Sequence, residues 1–143
     1  MTPMTSIRRA DVVFDPISVS DVEALVSDSA AGAIVSFSGD VRNHDHGRDV
    51  AHLEYEAHPT ADNVLAEVAR EVAERHDVIA IAASHRVGPL SVGDSALVAA
   101  VSSAHRKAAF DACADLVDTI KDRLPVWKHQ VFTDGTDEWV NCA

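Results

Sequence analysis

What most limits the fold of this chain is one continuous stretch, residues 96–130. It opens with an unbroken apolar run, ALVAAV at 96–101, which reads as a buried strand. Ser102 or Ser103 then offers a hydroxyl for an N-cap, so the sequence predicts a helix from there to about Arg123. Pro125 ends it, because a proline disfavours helical backbone in the residue before it. Laid out at about 100° per residue, Phe110, Cys113, Val117, Ile120 and Leu124 form an apolar stripe. Asp111, Asp115, Asp118 and Asp122 fall on the outer face, so the helix is one-sided.

The remaining elements follow from period and punctuation. Residues 12–14 suggest a first strand, and Ser20-Asp21-Val22-Glu23 reads as a capping box opening a short helix that ends before Gly32. Residues 33–39 (AIVSFSG) and 50–55 (VAHLEY) alternate as strands, separated by the polar loop 40–49 with two arginines and two histidines. Thr60 is placed to cap a helix whose Val64, Leu65, Val68 and Val72 keep helical spacing to about His76. Residues 78–84 (VIAIAAS) form a second continuous apolar strand, 85–94 is turn-rich, and Asp134-Gly135 suggests a terminal hairpin. Strands and helices alternate irregularly, which predicts α+β with a mixed, mostly antiparallel sheet covered by helices. There is no Gly-rich strand-to-helix fingerprint and no support for a Rossmann or P-loop site.

At 143 residues the chain reads as one domain, 1–143, with residues 1–10 expected to be flexible. Twelve Lys and Arg against 23 Asp and Glu give a net charge of −11, which argues against nucleic acid and anionic membranes as partners. Any anion site must therefore be a local pocket. The N-terminus lacks an apolar signal core and no run approaches a membrane span, so a cytoplasmic protein is expected. Cys113 reads as a small core residue, and Cys142 forms no metal-like spacing with it.

Against that acidic background, cations gather on the organising helix. His105, Arg106 and Lys107 occupy its first turn, where free backbone N–H groups already favour an anion. Lys121 lies about 20° around from Phe110, at the edge of the apolar stripe, and is expected to be partly desolvated. Lys128 returns beyond the proline elbow. Two ammonium groups close together beside apolar surface release a proton more readily, as a base or nucleophile requires. His44 and His46 invite a metal or a metal-dependent hydrolase, but His-x-His in a loop is weak alone, and no metal is expected. A non-catalytic anion-binding module would use the same basic residues.

Five blocks, in this order over about residues 32–140, then carry a resemblance: GAIVSFSGDVRNHDHG, LEYEAHP, SHRVGPLSVGD, SSAHRKAAFDA and IKDRLPVWKHQ. They resemble the large, catalytic subunit family of molybdopterin synthase. The resemblance implies an α/β hammerhead fold and a homodimer of large subunits within a heterotetramer. It implies a small ubiquitin-like subunit at each end, whose C-terminal Gly-Gly thiocarboxylate enters the large subunit's pocket. The reaction implied transfers two sulfurs to cyclic pyranopterin monophosphate, giving the dithiolene of molybdopterin, with no cofactor. Carried over by position, Asp40, Val41 and Arg42 form the substrate turn with Arg42 holding an anion, and His105 and Arg106 also meet substrate. The family's paired lysines fall on Lys121 and Lys128 as catalytic groups, followed by His129 and Gln130 at the substrate. The family often has a basic residue and then Glu at those last two places. Gln130 can hydrogen-bond but cannot act as a base.

Overall fold

The computed structural model describes residues 5–141. Its elements are β1 (Ser6–Val13), α1 (Val19–Leu25), β2 (Ala33–Asp40), β3 (His44–Asp45), β4 (Arg48–Ala57) and α2 (Ala61–Arg75). There follow β5 (Ala80–Arg86), β6 (Gly88–Ser91), β7 (Ser95–Ser103), α3 (Arg106–Arg123), β8 (Val126–Phe132) and β9 (Asp137–Asn141). The α+β expectation holds, with the strands divided between two sheets. One has the order β1-β5-β7-β2; in the other β3, β4, β8 and β9 follow one another and β6 pairs with β4. β1 and β5 run parallel, and every other strand pairing among the described residues is antiparallel.

The two continuous apolar runs are explained by what covers them. Ile81 and Ala83 of β5, with Leu97, Ala99 and Val101 of β7, pack in one core with Leu65, Val68 and Val72 of α2 and Leu116 and Ile120 of α3. Ala80, Ala82, Val98 and Ala100 point the other way, into a second core with Val22 of α1 and Val26, which caps the end of that helix. Alternate residues of a strand face opposite sides. With helices on both sides of this sheet, neither set can be polar.

Several local details differ from the sequence reading. β1 begins at Ser6 and pairs with β5 from Ser6 to Val13, so residues 6–10 are ordered strand rather than a flexible lead. Phe14 lies beyond it and is exposed. The cap of α1 is Ser18, whose hydroxyl accepts from the Asp21 amide, and Ser20 lies inside the helix. Thr60 does precede α2, without a side-chain capping bond. Ser102 and Ser103 remain in β7, where pairing with β2 continues to Ser103, and His105 becomes the N-cap of α3. The stripe of α3 is also rotated. Ala109, Ala112, Cys113, Leu116, Val117 and Ile120 are buried, while Phe110 is 60% exposed. Alanine at 109 and 112 allows close approach to the sheet, so the small residues take the inner line and the large ring is left at the edge. Cys113 is buried as expected, and burial raises its thiol to about 11. Cys142 lies outside the described residues.

Candidate active site

The cleft is built where β2 runs out and β4 and β8 lie side by side. Val41 fixes this corner: its amide donates to the Asp94 carbonyl at 2.9 Å, its carbonyl accepts from Gly93, and its side chain is buried. Arg42 is thereby turned outward, with its side chain 65% exposed. Asp40 is engaged locally, its carboxylate accepting from the Ser38 and Ser95 hydroxyls. The chain then folds into a tight hairpin. His46 and Gly47 both adopt left-handed backbone (φ 50° and 75°), as a two-residue connection between β3 and β4 demands.

Pairing of β4 with β8 sets Tyr55 opposite Lys128, Leu53 opposite Gln130 and Glu54 opposite His129. Side chains alternate along a strand, so Lys128 and Gln130 share one face with Tyr55 and Leu53 while His129 takes the other. His129 stacks on Trp139 at 4.5 Å between ring centres and pairs with Asp137. It therefore does not join the cleft, contrary to the sequence expectation. A small cavity of about 70 Å3 is lined by Asp40, Val41, Arg42, His44, Asp45, Leu53, Tyr55, Lys128 and Gln130.

Lys121 lies in the last turn of α3, just before the chain bends into β8. The elbow after it is pinned by the Leu124 amide on the Ile120 carbonyl, with Leu124 and Val126 buried on either side of Pro125. Lys121 is exposed rather than partly desolvated, because the stripe it was expected to border has rotated away. Its charge is nevertheless felt by His85, a fully buried ring on β5. His85 meets the Tyr55 ring edge-on at 4.9 Å, and Tyr55 faces Lys128. Lys128 thus stands opposite Tyr55 on the neighbouring strand, while Lys121 acts by its charge on the His85 ring that Tyr55 meets.

His85 and Asp45 are the ionisable groups that the sequence did not single out. Burial lowers the His85 pKa to about 4, and the charge of Lys121 acts in the same direction, against the hydrogen bond to the Arg86 carbonyl. That carbonyl can only accept, so the neutral ring carries its proton on Nδ1 (2.8 Å). Nε2 has no hydrogen-bond partner among the described residues. Asp45 accepts from Gln130 Nε2 at 2.7 Å and pairs with Arg42 at 3.3 Å. The Gln130 bond holds its carboxyl below the usual range, helped by the charges of His46, Lys128 and Arg42. The same Gln130 nitrogen donates to Glu138 at 2.9 Å, so the amide bridges two carboxylates. Strand parity could have found His85, two and four residues beyond the inward Ala83 and Ile81. Asp45 needed the hairpin.

His105 and Arg106 stand apart. They begin α3, which places them about 22 Å along the helix axis from Lys121, and with Lys107, Phe110 and Asp111 they line a separate open hollow. A single chain does not bring them to the lysines. Among the described residues no three His, Cys, Asp or Glu side chains gather to hold a metal, and His44 bonds instead to Asn43.

Known proteins share the sequence and the fold of this chain. The molybdopterin synthase catalytic subunit of Bacillus subtilis is 37% identical over 134 residues, 93% of this chain and 85% of that one. The crystal structure of molybdopterin synthase from Staphylococcus aureus superposes with a TM-score of 0.84 at 35% identity, covering 91% of this chain and 95% of that chain, and bears out the expected fold. A complex of subunits 1 and 2 of molybdopterin-converting factor from Helicobacter pylori, 15% identical, shares the fold at a TM-score of 0.70 over 92% of this chain and 88% of that chain. The family described as MoaE protein matches residues 12–123, and the chain belongs to that family.

Proposed function

We propose that this chain is the catalytic subunit of a molybdopterin synthase. It moves sulfur from the thiocarboxylated C-terminus of a small ubiquitin-like subunit to cyclic pyranopterin monophosphate, forming the dithiolene of molybdopterin. The observation that carries this reading is the cavity that Arg42, Lys128 and Gln130 line together with Tyr55, whose ring meets His85, the buried group on which the charge of Lys121 acts. Membership of the MoaE family supports it, and the two-subunit complex with the same fold supports a small partner.

The chemistry suits these residues. A phosphorylated pterin and an incoming carboxyl terminus are both anionic, so local cations hold them while the protein stays acidic. Arg42 is exposed, paired with Asp45 at 3.3 Å, and turns from that carboxylate onto the phosphate. Lys121 assists attack and proton transfer at the pterin carbons, and Lys128 stabilises developing charge. The sulfur nucleophile belongs to the partner, so the buried Cys113 has no part. His105 and Arg106 meet substrate through a homodimer within a heterotetramer, the basic turn of one copy serving the cleft of the other. A cytoplasmic site for the reaction is part of the same proposal. No helix of the described residues is long and apolar enough to cross a membrane.

The test mixes the chain with thiocarboxylated small subunit and precursor and measures molybdopterin. Lys121→Ala should abolish product while leaving unfolding and partner binding nearly unchanged, since the side chain is exposed. An active variant would remove Lys121 from catalysis, and no product from the wild type would leave only an anion-binding module.

A further inference from the structure

We propose that Asp45 is the resident counter-anion of the Arg42–Lys128–Gln130 cleft, and that an anionic ligand binds by displacing it. This rests on the reading of the cleft as an anion site. Asp45 fills that place in the folded chain. One carboxylate oxygen takes the Gln130 amide at 2.7 Å, and the other faces Arg42 at 3.3 Å and His46 at 3.7 Å. Lys128 is close enough for its charge to act on the same carboxyl. The Asp45 side chain is only 15% exposed, although it sits on a surface hairpin. It is turned into the cleft.

Space points the same way. The cavity is about 70 Å3, whereas sites for ligands of ordinary size run to roughly 300–1,000 Å3. A phosphorylated bicyclic molecule needs the wall to move, and the wall that carries Asp45 is the short strand β3. β3 is two residues long, pairing only His44 with Asp49 and Asp45 with Arg48. Retracting it gives up that short ladder, the bond from the Val50 amide to the Asn43 carbonyl and the Asp45 contacts. An entering phosphate replaces those contacts in kind, because it presents more negative charge and more acceptor oxygens to the same Arg42 and Gln130 donors. The carboxylate also explains how two cations and an amide stay mutually oriented before ligand arrives. Asp45 is therefore a positioning residue that competes with what it prepares for.

Inorganic phosphate, titrated into the full-length chain by calorimetry, tests this. Asp45→Asn keeps the shape and an acceptor for Gln130 but removes the charge, and should tighten phosphate binding by roughly tenfold. Asp45→Ser, which also withdraws the reach, should shift binding the same way and serves if the first variant folds poorly. If neither variant binds phosphate more tightly than the wild type, the displacement is overturned: in that case Asp45 merely braces Arg42. No phosphate binding by wild type or variants would overturn the anion-site reading itself, and this inference with it.

Discussion

Lowering the pH from 7 to 4.5 should weaken the fold through His85 alone by about 2–3 kcal/mol. A histidine takes its proton near 6.5 in the unfolded chain, whereas burial holds this one to about 4. Between those values the unfolded state binds a proton that the native state refuses, so stability falls as pH falls. Above 6.5 both states are neutral and nothing is lost; below about 4 both are charged and the loss levels off. Each unit inside the window costs about 1.4 kcal/mol, and pH 4.5 lies two units into it. Asp45 and Asp115 are held low and lose their native advantage only below the ordinary carboxylate value of 3.8, so they add little at 4.5. Urea unfolding at the two pH values measures the effect, with His85→Leu as the comparison. Leucine forfeits the Arg86 hydrogen bond and the Tyr55 contact at every pH, lowering the level but removing the slope. If the variant loses as much stability on acidification as the wild type, the assignment to His85 is refuted.

Two further outcomes are expected. Arg42→Ala should raise the KM for the pterin roughly 10- to 100-fold with a smaller effect on kcat, since about 1.5–3 kcal/mol is typical of a hydrogen bond to a charged group; an unchanged KM would confine Arg42 to holding Asp45. Gly32→Ala should cost about 1–3 kcal/mol, because a Cβ there would collide with the Ala104 carbonyl while the Gly32 amide is committed to Ser103; an unaltered urea midpoint would show that the β2–β7 junction can yield.

The sequence disclosed the frame of this molecule well where one force dominated. Two uninterrupted apolar runs had to be β5 and β7, and Pro125 had to break α3 from β8. It disclosed less where several small effects competed. The stripe of α3 was misjudged because hydrophobicity alone favours Phe110, while close packing on the sheet favours Ala109 and Ala112. β6 was hidden among glycine and proline turn signals, and β3 among polar residues, since a two-residue strand has no period to read. The same motif blocks name Arg42, Lys128, His129 and Gln130; Arg42, Lys128 and Gln130 line one cavity, while strand alternation turns His129 away from it. Asp45, Tyr55 and His85 come together from three separate segments, and no spacing along a chain encodes such a meeting.

The bend at Pro125 also acts as a phase setter. Because Lys128 and His129 differ by a single step along β8, adding or deleting one residue between Leu124 and Val126 would trade an ammonium for an imidazole at the cleft and bury the Trp139 platform's companion. The length of that short link is thus as much a part of the chemistry as the amines it delivers.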